Sequence, residues 1–160
     1  MLFLGLLLLG VCFAGVLLVG APYVPTMKPQ VEAALDLLDL QPGKTLLELG
    51  CGDGTVLLAA ARRDLRVVGI ELNPLLVVVA RARTWRYRKQ VRVVWGNFWR
   101  EPWPICDGVF VFLLDRFMPK LDERMVDIGA PLVSVAFQVP HKRPSRSQNG
   151  VFRYDYVKNK

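Results

Sequence analysis

The sequence predicts one α/β domain built on a mostly parallel sheet and preceded by a hydrophobic helix long enough to cross a membrane. Segments rich in Val, Leu and Ile alternate with segments whose apolar residues recur at helical spacing, the pattern of right-handed βαβ units. Three glycines at alternate positions follow the first of these strands, where an open α/β sheet presents its ligand. Residues 1–27 contain no charged side chain, and about 20 apolar residues suffice to cross a bilayer.

Residues 1–20 form the expected span, and residues 21–30 a linker broken by Pro22, Pro25 and Pro29. Residues 31–160 are then the domain. A helix is predicted over 30–40, with Val31, Ala34, Leu35 and Leu38 on one face and Pro42-Gly43 ending it. Residues 45–49 read as a short buried strand, 55–63 as a helix and 66–71 as a second strand. Asn73-Pro74 marks the start of a helix over 74–88. A third strand covers 91–95, and the run GVFVFLL over 108–114 is apolar enough for a strand buried on both faces. A helix over 119–126 and a strand over 132–139 follow, then a polar loop from His141 and a last strand over 151–157.

Charge and cysteine placement restrict the function classes. A cleavable signal peptide would begin with basic residues, but none precedes the apolar run, and Ala21-Pro22-Tyr23-Val24-Pro25 is a poor cleavage site. The first positive charges, Lys28, Lys44, Arg62 and Arg63, lie after the span, so the positive-inside bias puts the domain on the cytoplasmic side. Cys12, Cys51 and Cys106 share no paired spacing, which suggests reduced thiols, and with the single histidine His141 they offer no metal site. The net charge of +7 is concentrated in Arg81, Arg83, Arg86, Arg88, Lys89 and Arg92. Anionic lipid headgroups, attracted at about 1 kcal/mol per basic residue, account for this cluster more simply than nucleic acid; a solvated helix face accounts for it equally well.

Leu46-Leu47-Glu48-Leu49-Gly50-Cys51-Gly52-Asp53-Gly54 is the most informative stretch, a strand running into a glycine turn and then a helix. Glycines allow the tight turn and the close approach of a ligand to the backbone, which makes the fold Rossmann-like. The dinucleotide fingerprint needs its third glycine at position 55, where Thr55 stands. Glu48 would also repel a pyrophosphate but attract the sulfonium and ammonium groups of S-adenosylmethionine. Glu71, ending the second strand, can accept hydrogen bonds from both ribose hydroxyls. Asn97 can reach the adenine edge and Phe98 can cover its ring, with ordinary turn and core roles as the alternative.

These motifs, with Gly69-Ile70-Glu71-Leu72-Asn73-Pro74, resemble those of the class I S-adenosylmethionine-dependent methyltransferases. Further matching pieces are Pro22-Tyr23-Val24-Pro25-Thr26, the Arg/Trp-rich helix over 81–88, Gly96-Asn97-Phe98-Trp99 and Met118-Pro119. With these the chain resembles the small membrane-anchored protein-lysine methyltransferases that modify the ATP synthase c subunit and the adenine nucleotide translocase in mitochondria, and their prokaryotic relatives. Asn97 stands where many such enzymes place Asp. The resemblance implies S-adenosylmethionine as cofactor, held by Glu48, Gly50, Gly52, Asp53, Gly54, Glu71, Asn97 and Phe98, with Tyr23 and Thr26 as a lid. It also implies a membrane-associated protein substrate.

Methyl transfer is an in-line displacement, so the protein chiefly aligns a nucleophile and excludes water. A lysine must also lose its proton, and Asp115, after the fourth strand, is the candidate carboxylate, with helix capping as its alternative role. Two further functions fit the same residues: methylation of a lipid or quinone headgroup, and cofactor binding without catalysis.

Overall fold

The structure, a computed structural model, describes residues 25–157. The expected span over 1–20 and the lid residue Tyr23 lie outside them, and among the described residues no helix is long and apolar enough to cross a membrane.

The elements run α1 (Lys28–Leu38), β1 (Thr45–Leu49), α2 (Thr55–Ala61), β2 (Arg66–Glu71), α3 (Pro74–Arg83), β3 (Val91–Trp95), β4 (Gly108–Val111), α4 (Met118–Ile128), β5 (Leu132–Val135), β6 (Arg146–Gln148) and β7 (Val151–Tyr154). They form a seven-stranded sheet in the order β3-β2-β1-β4-β5-β7-β6. The first five strands are mutually parallel, and β7 runs antiparallel to both β5 and β6. This is a Rossmann-like α/β fold in which the order reverses beside β1, the switch point at which such sheets bind ligands.

Each buried strand alternates its side chains between two layers. On one face Leu46, Val67, Phe110 and Val133 join Val31, Leu35, Leu57 and Ala80 of α1, α2 and α3. On the other, Leu47, Leu49, Ile70, Val109 and Val111 meet Leu121 and Met125 of α4. Fully burying one such Leu or Ile contributes about 1.5–3 kcal/mol, so the two layers supply most of the driving force. Helix α1 starts with Pro29 in its first turn and ends where Asp39 enters the left-handed region at φ 51°.

The differences from the sequence reading have local causes. Helix α3 stops at Arg83, and Trp85–Tyr87 continues as a tighter 3-10 turn, because the Thr84 hydroxyl turns back to donate to the Ala80 carbonyl. Strand β4 ends at Val111, opposite Leu49, the last residue of β1, and Ser134, one residue short of the end of β5. Strand β5 ends at Val135 because Ala136 adopts φ 66° and turns the chain away. The apolar Val139 beyond it is buried for another reason: its N–H donates to the Tyr154 hydroxyl, which carries it into the α4 layer. Arg146–Gln148, inside the stretch read as a polar loop, is an edge strand with every residue exposed, closed onto β7 by a turn at Asn149 and Gly150.

Gly69, in the middle of β2, shows how closely α2 sits on the sheet. A Cβ there would stand 2.7 Å from Cys51 Sγ and 2.9 Å from Leu57 Cδ1. Gly69→Ala should cost about 1–3 kcal/mol through overpacking, seen in urea unfolding as a lowered midpoint with unchanged slope.

Candidate cofactor site

The site lies at the carboxyl ends of β1, β2, β3 and β4. The turn after β1 is pinned by the Gly50 and Cys51 N–H groups, which donate to the Ile70 carbonyl at 2.8 and 3.2 Å. Gly50, Gly52 and Gly54 have φ of 78°, 53° and 79°, a region that side-chain-bearing residues rarely adopt. The spaces around Gly50 and Gly54 differ. A Cβ on Gly50 would meet nothing within 4 Å, so its backbone faces an open cradle, whereas a Cβ on Gly54 would touch Ala80 of α3 at 3.0 Å.

Glu71 gathers the turns around it. Its carboxylate accepts from the Gly52 N–H at 2.9 Å and the Asn73 N–H at 2.8 Å, and its carbonyl accepts from the Gly96 N–H at 2.9 Å. The side chain is buried, and each carboxylate oxygen keeps a second acceptor position for a ligand hydroxyl. Asn73 in turn caps α3, its Oδ1 accepting from Leu75 N–H at 2.9 Å ahead of Pro74 in the first turn.

Glu48 is 4% exposed, and its Oε2 atom is buried with no hydrogen-bond partner among the described residues. Burial, with Glu71 and Asp53 as neighbouring negative charges, pushes its carboxyl well above the usual carboxylate range. The same burial, with Glu48 and Glu71 nearby, raises the Cys51 thiol and holds it in the neutral form. A buried acid without a partner, next to an open glycine cradle and a second carboxylate, suits a ligand that brings positive charge. The sulfonium, ammonium and ribose hydroxyls of S-adenosylmethionine fit this donor set, and a pyrophosphate does not.

The remaining predicted residues are distributed around this floor. The Asp53 carboxylate accepts from the Thr55 N–H and hydroxyl at 3.1 and 2.8 Å and pairs with Arg83 at 2.8 Å, so its polar atoms start α2 and tie it to α3. Asn97 Oδ1 accepts from Trp99 N–H at 2.9 Å, which shapes the loop after β3. Phe98 is half-buried with its ring 4.8 Å from that of Trp99, and its carbonyl accepts from Trp103 Nε1 and Arg124. Asp115 is exposed on the loop after β4, its Oδ1 accepting from Arg116 N–H at 2.7 Å. Thr26 is half-buried just before α1.

Two arginines that hold the site together escaped the sequence reading. Arg83 clamps Asp53 and Thr55 from 28 residues beyond Thr55, and Arg124 of α4 collects the carbonyls of Phe98, Trp99 and Glu101. Neither carries a local signal, because each partner is distant in sequence.

The raised Glu48 carboxyl has a definite consequence for stability. Its folded value lies above its unfolded one, so its contribution is fully favourable below the ordinary carboxylate range and is lost as pH rises through the folded value. The ligand-free protein should therefore lose stability as pH climbs from that range, and Glu48→Gln should flatten the dependence. Urea midpoints across pH check both.

A family model of the ANTKMT methyltransferase domain matches residues 48–146, a stretch that begins at Glu48 and takes in the whole glycine turn. The chain is 30% identical over 131 residues to the lysine N-methyltransferase of the ATP synthase c subunit from Rattus norvegicus, covering 79% of this chain and 60% of that protein. It is 37% identical over 129 residues to the adenine nucleotide translocase lysine N-methyltransferase of Mus musculus, covering 77% and 56%. The chain thus spans rather more than half the length of these relatives. Among solved structures, an RNA methyltransferase from Salinibacter ruber in complex with S-adenosyl-L-homocysteine superposes with a TM-score of 0.79 at 31% identity, covering 85% of this chain and 95% of that one. With the glycine turn, both acidic residues and the sheet order in place, the chain belongs to the ANTKMT methyltransferase domain family of S-adenosylmethionine-dependent methyltransferases.

Proposed function

We propose that this chain transfers a methyl group from S-adenosylmethionine to a lysine of a membrane-associated protein, from a domain that the apolar segment 1–20 carries on the cytoplasmic side of a membrane. The observation that carries the cofactor half of this reading is the buried Glu48 Oε2, without a partner among the described residues, beside the open cradle at Gly50. The substrate half rests on the relatives, whose names specify lysines of the ATP synthase c subunit and of the adenine nucleotide translocase.

The cofactor, when bound, supplies an electrophilic methyl on a sulfonium. The chain's own residues bind and orient it: Gly50 and Gly52 give backbone access, Glu71 accepts the ribose hydroxyls, and Glu48 balances the positive charge. Asn97 and Phe98 border the adenine side. Asp53 contributes by holding the start of α2 rather than through a free carboxylate. A lysine arrives as an ammonium and must be neutral to attack; Asp115, exposed on the rim, can draw it in and accept its proton. Tyr23 and Thr26 belong to the segment that would close over the cofactor.

The position of α1 supports a membrane-facing site. Gln30, in its first turn, lies against the Gly150 turn, and Gly150 O accepts from Ala136 N–H just past the carboxyl end of β5. Pro25, Thr26 and Met27, just before α1, therefore meet the domain at the same end of the sheet as the glycine turn, so a membrane reached through residues 1–20 would face the substrate side.

Calorimetry should show binding of S-adenosylmethionine and S-adenosylhomocysteine but not NAD. Glu71→Ala should weaken that binding by about 1–3 kcal/mol, the cost of leaving polar partners unpaired in a buried site, with thermal unfolding run alongside to separate loss of fold. Membranes incubated with methyl-labelled cofactor, then extracted separately for lipid and protein, should carry the label in protein as methyl-lysine; label confined to lipid would point to a headgroup substrate. Alkaline carbonate should leave the full chain in the membrane, and a mature N-terminus cut near Ala21 would overturn the anchor.

A further inference from the structure

The stretch from Leu72 to Arg100 holds seven basic residues and no acidic one, so it carries the whole of the chain's net charge of +7. Its helix, α3, has two apolar faces. Val77 and Ala80 face the core. Leu75, Val78, Val79, Ala82 and Trp85 recur at the spacing of a second stripe and point outward, with Val78 64% and Trp85 63% exposed. Trp95, also 63% exposed, extends the stripe toward the site, because its Nε1 donates to the Leu72 carbonyl just before α3. Arg86, Arg88 and Lys89 are exposed in and just after the 3-10 extension, and the Arg88 guanidinium lies 4.9 Å from the Trp85 ring centre.

We propose that this outer face of α3, with its 3-10 extension, is a second membrane contact that lies in the interface of a bilayer containing anionic phospholipid. Aliphatic side chains and a tryptophan flanked by arginines are what an in-plane interfacial helix presents: apolar groups enter the headgroup boundary while guanidinium groups meet phosphate. Charge complementarity selects the anionic surface. The aliphatic stripe argues against nucleic acid, which has no use for Leu75, Val78 and Val79. The contact rests on the membrane location of the proposed function, but not on the methyl-transfer chemistry. It would fix how the domain lies on the bilayer, since one tether leaves rotation free and two contacts do not.

The test uses the full chain in phosphatidylcholine vesicles made with or without phosphatidylserine and containing acyl-chain-brominated lipid. The difference in tryptophan quenching between the wild type and Trp85→Phe isolates the signal of Trp85. That signal should be quenched in the phosphatidylserine vesicles and lost in phosphatidylcholine alone, at high salt, in the double variant Val78→Asp/Val79→Asp and in Arg86→Glu/Arg88→Glu. Calorimetric affinity for S-adenosylmethionine should stay within twofold in both double variants, because these side chains point away from the cradle. An unquenched Trp85 in phosphatidylserine vesicles that retain the chain would overturn the proposal. So would equal quenching in both lipids, or burial of Trp85 only on adding RNA or an acidic protein. Absence of methylated product in the same vesicles would count against the methyl-transfer reading and leave the quenching result standing.

Discussion

The Glu71 carboxylate is the constraint on which the rest of the site depends. Two N–H groups from different turns, Gly52 and Asn73, converge on one buried side chain, and its own carbonyl receives the loop after β3 through Gly96. Charge-assisted bonds of this kind are the strong ones, and in a buried setting they hold their partners in one geometry. The acidic side chain at the end of β2 thereby sets the relative positions of two loops of the candidate site, and its main-chain carbonyl holds the third.

Glu48 has the opposite character. Glu71 has its donors; Glu48, on the neighbouring strand, has a buried oxygen without one among the described residues, and the ionisable neighbours that act on it are acids. The free site therefore contains an electrostatic problem that protonation relieves at a cost and a cation would relieve directly. That asymmetry discriminates among nucleoside-bearing ligands more sharply than the glycines do, since glycine turns of this shape also serve phosphates. Asp53 does not add a third free charge, because Arg83 and Thr55 occupy it.

The amino-terminal half of the sheet was legible to the residue: 45–49, 66–71 and 91–95 are the strands observed, because each is a short β-branched or Leu-rich run bounded by glycine, proline or a charged turn. The glycine turn was legible for the same reason, strand end, turn and helix start lying within ten consecutive residues. Legibility failed where distant partners decide. Strand β4 ends opposite the last residue of β1 and β5 ends where Ala136 turns left-handed, neither of which hydrophobicity reveals, so Leu113 and Val139 read as strand although they are buried outside it. Strand β6 has no buried residue and exists because β7 offers it a ladder. The Arg83 and Arg124 clamps are contacts across 28 residues or about as many, and no window of the sequence contains both partners.

The contact between Gly54 and Ala80 has a meaning beyond packing. Helix α3 can approach the cofactor turn only because position 54 has no side chain and position 80 has a single methyl group. The same helix shows its other side to the surroundings. One narrow spacer thus serves as a common gauge for the depth of the ligand cradle and the height of the outward stripe, and a bulkier residue at either position would move both at once.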